Sequence, residues 1–143
     1  MLKRISSRAI IIEGNSLYTI FRKKIKDDGS IKEYYVLPGG GKEANETLEE
    51  NVIREIKEEF SVAAKIKKYL GKIETNDKIE HYFSCEIISG SPTLGGEELE
   101  RCTEANYYEI RKVLIDDLEK IDISAPTMIM KAYNEEDEDL LVS

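Results

Sequence analysis

Three glutamates near the middle of the chain have the spacing of one functional face. Glu55, Glu58 and Glu59 stand at positions i, i+3 and i+4, so on a helix their side chains are neighbours and repel one another. Adjacent carboxylates beside an apolar surface are costly unless a cation neutralises them. Carboxylate oxygens are hard ligands that suit Mg2+ or Mn2+ better than zinc. The spacing therefore predicts a divalent-metal site, with a solvated acidic helix face as the plain alternative.

The segment that carries these glutamates is predicted to be an amphipathic helix from Asn45 onward. Thr47 and Glu50 have the spacing of a capping box at its start. Apolar residues recur every four positions and form a stripe along one side. Since a helix turns by about 100° per residue, Glu59 falls at the edge of this stripe and Glu55 lies beside it. The members of the stripe are Leu48, Val52, Ile56 and Phe60.

Two further features flank the glutamates. Arg54 directly precedes Glu55, and Glu46 lies about two helical turns earlier. A pair between Arg54 and Glu46 would fix the orientation of the neighbouring carboxylates. Upstream, the run 39–41 consists of glycine, which lets the backbone come close to a ligand. A glycine run alone is weak evidence for a ligand site, and its position directly before the acidic helix strengthens that evidence.

The complete pattern over residues 40–62 resembles the Nudix box. It reads Gly, five residues, Glu, seven residues, Arg-Glu-apolar-x-Glu-Glu, two residues and an apolar residue. The lead-in at 37–39, Leu-Pro-Gly, also matches. The family usually has Gly where this chain has Ser61, a departure that concerns the end of the helix, where glycine adopts the required backbone conformation easily. The matching positions are Gly40, Glu46, Arg54, Glu55, Ile56, Glu58, Glu59 and Val62.

The resemblance implies a set of site residues. It implies that Mg2+, or Mn2+, is held by the three box glutamates and the carbonyl of Gly40, with Arg54 and Glu46 orienting them. Family members often recruit one more acid from later in the chain. Glu104 is the first candidate here, Glu98 and Glu97 are its competitors, and a solvated surface position is the alternative for each.

Substrate contacts are expected on both sides of the box. Arg22 ends a predicted strand on which family members often place a cation near the substrate phosphates, and a solvated strand end is the alternative. Gly39 and Gly40 would approach the substrate through their backbone. Rings that could stack on a base are Tyr35, Tyr82, Tyr107 and Tyr108, with Tyr35 taken as the substrate-binding candidate. His81, the single histidine, is either an ordinary strand residue or a substrate contact.

The resemblance implies Mg2+-dependent hydrolysis of the diphosphate of a nucleoside diphosphate linked to another group X. The default substrate is a nucleoside triphosphate, as for the clean-up enzymes of the mutator type. ADP-ribose, a nucleotide sugar and a dinucleoside polyphosphate are the alternatives. A non-catalytic ligand-binding or sensor domain is the alternative from another functional class, but such domains usually lose box glutamates, and this chain retains them all.

Composition narrows the range of partners. The 143 residues are 41% hydrophobic and carry a formal net charge of -8, so we expect one soluble domain over 1–143 that binds no nucleic acid nonspecifically. Cys85 and Cys102 form no zinc motif and are expected to be reduced thiols. Since neither a signal peptide nor a membrane span is recognised, a cytoplasmic location is expected. A homodimer is left open.

The elements around the box predict an α/β or α+β domain. About six strands are expected, with the box helix between the third and the fourth and two helices near the C-terminus. The resemblance implies an α/β/α sandwich around a mixed sheet. The acidic run 135–143 is expected to be a solvated, frayed tail. Strands are predicted over 8–13, 16–22, 32–37, 62–74, 78–88 and 106–110, and the two late helices over 113–121 and from 124 onward.

Overall fold

The computed structural model describes residues 2–100 and 102–142, of which 97, 98 and 136–142 are described by their backbone alone. Seven strands and four helical segments lie within this part of the chain. The strands are β1 (Arg4–Glu13), β2 (Ser16–Ile25), β3 (Ile31–Val36), β4 (Gly39–Gly41), β5 (Ala63–Glu74), β6 (Lys78–Ser89) and β7 (Asn106–Leu114). The helices are α1 (Leu48–Phe60), α2 (Gly96–Glu100), a 3-10 helix (Ile115–Lys120) and α3 (Pro126–Val142).

The strands form one mixed sheet, as predicted. Its main path runs β3-β2-β1-β6-β5, while β4 pairs with β1 and β7 pairs with β2. Strand β1 is antiparallel to β2 and β4 but parallel to β6. Because a parallel pair needs a long crossover, the chain passes through α1 and β5 before β6 joins β1.

Two apolar cores lie on the two faces of this sheet. Successive residues of a strand point to opposite faces, and β1 illustrates this with Ala9 and Ile11 in one core and Ile10 in the other. The first core is covered by α1, the second by α3 and the 3-10 helix. The sheet is therefore enclosed between helices, and the expected α/β/α arrangement is confirmed.

Helix α1 has a defined boundary at each end. It begins at Leu48, three residues later than predicted, because Thr47 caps it. The Thr47 hydroxyl accepts from the Glu50 N–H at 3.1 Å, and the Glu50 carboxylate accepts from the Thr47 N–H at 2.8 Å. The helix ends at Ser61, which has a left-handed backbone with φ 58 and donates its N–H to the Lys57 carbonyl. Ser61 therefore adopts the conformation that the family usually gives to glycine.

Several predicted boundaries were wrong. Strand β1 begins at Arg4 rather than residue 8, and β2 continues to Ile25 instead of ending at the basic residues 22–24. Strand β4 was not predicted, since three glycines carry no side-chain pattern. The region 113–121 gives two residues to β7 and the rest to the 3-10 helix and its flank. Helix α2 lies where a loop and an acidic run were expected.

Two expectations about the rest of the chain have different outcomes. The backbone of 136–142 continues α3, but the side chains of these residues and Ser143 lie outside the described part, so the frayed acidic tail stays a prediction. None of the described helices combines the length and apolarity needed to cross a bilayer.

Candidate active site

A pocket of about 620 Å3 lies around the glycine strand β4. Helix α1 contributes its carboxylates on one side, and β1 contributes arginines on the other. The pocket brings together all three box glutamates, Arg54, Arg22 and the glycine run. Its lining is Arg4, Arg8, Arg22, Gly39, Gly40, Gly41, Glu43, Arg54, Glu55, Glu58 and Glu59.

Arg54 is the centre of the hydrogen-bond network on the acidic side. Its guanidinium forms a two-point contact with the Glu46 carboxylate, at 2.7 and 2.9 Å, and also donates to the Gly41 carbonyl at 3.0 Å. Its Nη1 donates to Glu55 Oε1 and Glu58 Oε2, both at 3.2 Å. The hydrogen bond from Arg54 lowers the pKa of Glu46 to about 2. The same hydrogen bond raises the pKa of Arg54, so both groups are charged at neutral pH.

The three box carboxylates differ in their exposure. The Glu59 residue is 6% exposed and accepts a hydrogen bond from the Gly39 N–H at 2.9 Å. The Glu55 side chain is 14% exposed and that of Glu58 is 53% exposed. A Cβ on Gly40 would lie only 2.6 Å from Glu55 Oε1, so a side chain at this position would displace the carboxylate. The absence of a side chain at Gly40 therefore lets the Glu55 carboxylate lie directly against the glycine strand.

The donor set fits a hard divalent cation in its chemistry. Carboxylate oxygens and a nearby backbone carbonyl are the ligands that Mg2+ and Mn2+ take in proteins. As placed, no three acidic, histidine or cysteine side chains in the described part of the chain converge into a ready-made cluster. The positive charge between Glu55 and Glu58 is supplied by Arg54 instead. The carboxylates are thus held side by side by an internal cation.

Three residues predicted for the site do not line this pocket: Glu46, which reaches it only through Arg54, Tyr35 and Glu104. Tyr35 packs its ring against Phe21 at 5.2 Å, and its hydroxyl accepts from Arg111 at 3.2 Å. Glu104 lines a separate pocket that also contains Phe21 and Arg111. On β2, Phe21 points to the face opposite that of Arg22, which does line the site. Tyr35 pairs with Phe21 and shares its face, which sequence spacing without strand register did not reveal, whereas Glu104 lies in the bend that precedes β7.

The remaining candidates also lie outside the pocket or outside the described part. Glu97 and Glu98 have side chains outside the described residues, so their candidacy is not tested. Tyr107 is 41% exposed, while Tyr108 is buried. His81 pairs its Nδ1 with the Tyr69 hydroxyl at 2.9 Å. Cys85 and Cys102 are both free thiols, and burial raises the pKa of Cys85 to about 12.

Sequence reasoning missed two arginines, Arg4 and Arg8. Arg8 donates through Nη1 to the carbonyls of Leu37 and Gly39, both at 3.2 Å, and through Nε to Glu80 at 3.3 Å. Burial acts to raise the pKa of Glu80, but the hydrogen bond from Lys78 and the charge of Arg8 outweigh it and leave that pKa lowered. Arg8 therefore braces the start of the glycine strand. The signal available in the sequence was an arginine at the edge of an apolar strand.

Comparisons with known proteins agree with the fold and the box. The family model described as NUDIX domain matches residues 3–127. An ADP-ribose pyrophosphatase of Methanocaldococcus jannaschii is 33% identical over 120 residues, an alignment that covers 78% of this chain and 66% of that protein. The chain thus spans slightly less than two thirds of the length of this relative.

Solved structures share the fold at low sequence identity. An ADP-ribose pyrophosphatase from Streptococcus suis superposes with a TM-score of 0.65 at 16% identity, covering 94% of this chain and 92% of its own. A MutT NUDIX hydrolase from Burkholderia pseudomallei gives 0.68 at 20% identity, with 93% and 98% covered. A UDP-X diphosphatase gives 0.68 at 19% identity, with 97% and 65% covered.

Proposed function

This chain belongs to the Nudix family, and we propose that it is a pyrophosphohydrolase that splits the diphosphate of a nucleoside diphosphate linked to another group. One observation carries the proposal. Glu55, Glu58 and Glu59 face a single pocket across from a glycine strand that has no side chains to obstruct a ligand. A family member that only binds its ligand would not need this complete set of carboxylates, so we favour the enzyme over the sensor.

For the substrate, we propose ADP-ribose, with a nucleotide sugar as the next class. The support is the 33% identity to an ADP-ribose pyrophosphatase. The default from sequence, a nucleoside triphosphate, lacks comparable support, because the MutT-type structure is only 20% identical and its likeness concerns the fold. Triphosphates and dinucleoside polyphosphates therefore serve as the comparison arms of the experiment.

The residues of the pocket divide the chemical work. Mg2+ or Mn2+, held by Glu55, Glu58, Glu59 and the Gly40 carbonyl, would withdraw charge from phosphorus and lower the pKa of the attacking water. Arg54, fixed by Glu46 and the Gly41 carbonyl, keeps Glu55 and Glu58 oriented toward the pocket.

Two other groups complete the arrangement. Glu59 ties the helix to the glycine strand through the Gly39 N–H, which fixes the distance between the carboxylates and the backbone beside the substrate. The proton of the attacking water passes to a carboxylate that lines the pocket. Glu104 lies in another pocket. We propose a box glutamate for this role, and Glu58 is the first candidate because it lines the pocket and has the most exposed side chain of the three.

The test is product formation from a substrate panel with Mg2+, Mn2+ or a chelator. The panel contains ADP-ribose, nucleotide sugars, nucleoside triphosphates including oxidised dGTP, and dinucleoside polyphosphates. We expect AMP and ribose 5-phosphate from ADP-ribose, in a reaction abolished by the chelator. Turnover of triphosphates alone would overturn the substrate assignment. Silence across the panel, with ligands that still raise the melting temperature, would favour the sensor.

The Glu58→Gln variant serves as the inactive control for the substrate panel. The substitution removes one carboxylate oxygen charge at a half-exposed position, so we expect turnover to fall by several orders of magnitude with an unchanged circular dichroism spectrum. Glu49→Gln is the control, because Glu49 lies in the first turn of the same helix and is exposed outside the pocket. Near-normal turnover in Glu58→Gln would contradict the metal assignment.

A further inference from the structure

The pocket continues past the glycine strand onto the face of the sheet that is remote from α1. Residues at alternate positions of a strand share a face, so Arg4 and Arg8 lie on the same face as Ile10. Ile10 belongs to the core that α3 covers. A Cβ on Gly40 would point at Glu55, while a Cβ on Gly41 would point at the Arg4 guanidinium, 3.4 Å away. Since β4 has no side chains, a ligand can lie across it and reach both faces.

The arginines of this pocket differ in how firmly they are held. Arg54 is bound by Glu46, Glu55 and Glu58, and Arg8 by Glu80 and two carbonyls. Arg22 places its guanidinium 5.4 Å from the centre of the Tyr108 ring. Arg4 is exposed, and its side chain makes neither a hydrogen bond nor an ion pair within the described part of the chain.

The charge of a diphosphate calls for a cation at this place. The positive charge of a bound metal ion would be offset by the negative charge of the α1 carboxylates. Little of that positive charge would then remain to attract the phosphates of the substrate. A guanidinium offers several N–H donors in a planar fork that suits phosphate oxygens, and its charge strengthens each hydrogen bond. Arg4 is an exposed guanidinium in the described pocket lining whose donors make no hydrogen bond or ion pair, so they can turn toward a ligand.

We propose that Arg4 is a substrate-binding residue that donates hydrogen bonds to a phosphate oxygen of the substrate, from the face of the sheet opposite the acidic helix. The proposal rests on the proposed function for the presence of a diphosphate in the pocket. The oxygen belongs either to the scissile diphosphate or to a further phosphate on the same ligand. Both sources have the same chemistry, and the experiment separates them.

The test measures binding without turnover. Isothermal calorimetry with Mg2+ would compare two ligands that resist hydrolysis, the α,β-methylene analogues of ADP-ribose and of ATP. The variants are Arg4→Gln, Arg4→Lys and the control Lys3→Gln. Lys3 is the neighbouring cation, which pairs with Glu74 outside the pocket, so its loss changes the net charge equally. Melting temperatures verify that each variant is folded.

We expect Arg4→Gln to weaken binding about ten- to a hundredfold, as for a lost hydrogen bond to a charged group. Arg4→Lys should restore part of the loss, and Lys3→Gln should bind like the wild type. Weaker binding of both analogues assigns the scissile diphosphate, and weaker binding of the ATP analogue alone assigns a further phosphate. Equal binding by Arg4→Gln and wild type overturns the role of Arg4. A wild type that binds neither analogue overturns the ligand class of the proposed function itself.

Discussion

At the scale of single residues, Arg54 joins three parts of the structure through one guanidinium. It connects α1 to the preceding loop at Glu46, to the glycine strand at the Gly41 carbonyl, and to two carboxylates on its own helix. Half-buried carboxylates that stand side by side would otherwise repel one another. The contacts of Arg54 therefore make the acidic face compatible with the folded state before any metal ion binds.

The pair between Arg54 and Glu46 predicts an acid-side effect on stability. The Arg54 hydrogen bond lowers the pKa of Glu46 from 4.5 to about 2. A carboxyl group with a lower pKa in the folded state stabilises the fold above its unfolded pKa, and this contribution is lost as the pH falls through the folded pKa. Wild type should therefore exceed Glu46→Gln in urea midpoint near neutral pH, and the difference should shrink between about pH 4.5 and about pH 2.

The control for this pH series is Glu119→Gln. Glu119 is exposed and makes no ion pair with any residue that the structure describes. Its variant should follow the wild-type curve over the whole pH range. A Glu46→Gln curve that stays parallel to wild type down to the lowest pH would show that Arg54 does not stabilise the Glu46 carboxylate.

Residue spacing in the sequence predicted the side of the pocket formed by the α1 glutamates, but it did not predict the side formed by the β1 arginines. The box positions were predictable because a helix fixes which residues share a face, so Glu55, Glu58 and Glu59 came together as expected. Tyr35 lies outside this pocket because the face to which a strand residue points depends on register, which short-range patterns do not give. Glu104 lies in the bend before β7 and lines another pocket. Arg4 and Arg8 were missed because their role arises from the pairing of β1 with β4.

At the scale of elements, the end of α1 contains a backbone strain that the sequence had flagged. Ser61 has φ 58, a conformation that costs a residue with a Cβ more than it costs glycine. We expect Ser61→Gly to stabilise the protein by about 0.5–1 kcal/mol, the relief of strain minus the greater chain entropy of glycine when unfolded. Thermal unfolding measures the gain, and activity should change little, because Ser61 lies outside the pocket lining.

Ser61→Ala separates backbone strain from loss of the hydroxyl. Alanine keeps the Cβ in the left-handed conformation, so this variant should not gain stability. If Ser61→Ala and Ser61→Gly stabilised the protein equally, strain at the helix end would not be the cause. A large loss of activity in Ser61→Gly would instead show that the helix end positions the carboxylates.

Elements with a side-chain pattern were predictable, and those without one were not. The alternation along β2 and the four-residue stripe of α1 gave element types that the structure confirms. Strand β4 is held by backbone pairing with Ser6, Ser7 and Arg8 of β1, so nothing in its own three glycines indicates a strand. Helix α2 is five residues long and follows a glycine-rich loop, a length at which local propensity is a weak guide.

At the scale of the whole molecule, the two cores are expected to differ in how much they affect the active site. Ile56 of α1 and Ile129 of α3 are both fully buried, one in each core. Truncation to alanine at either position should destabilise the protein by about 2–5 kcal/mol. Ile56→Ala should also lower the catalytic rate of the folded protein, because Ile56 lies between the glutamates on α1. Ile129→Ala should leave that rate unchanged.

Urea unfolding and initial rates, taken at a temperature where both variants are folded, measure this contrast. The two substitutions are matched in residue type and burial, so a difference in rate reflects location alone. Equal loss of activity in both variants would mean that the site depends on the stability of the whole sheet. Full activity in Ile56→Ala would mean that the carboxylates do not rely on the core under α1.

The order of the strands was beyond local sequence patterns. The mixed character of the sheet was expected from the family resemblance, and the alternation along each strand says nothing about its neighbours. The parallel contact of β1 with β6 connects Arg4 to Lys78 and Ile11 to Cys85, residues far apart along the chain. Such pairing is decided by how both cores close, which is a property of the complete chain.

That parallel contact has a consequence for protein synthesis. Every residue of the described pocket lining precedes β6 in the chain, so all of them leave the ribosome before the strand that completes β1 on its other side. Until then, β1 lacks the partner that buries Ala9, Ile10 and Ile11. Contacts between distant parts of a chain form late in folding. A nascent chain therefore carries the described lining of the pocket without the complete sheet to hold it, and the site is assembled only after the second half of the protein has been made.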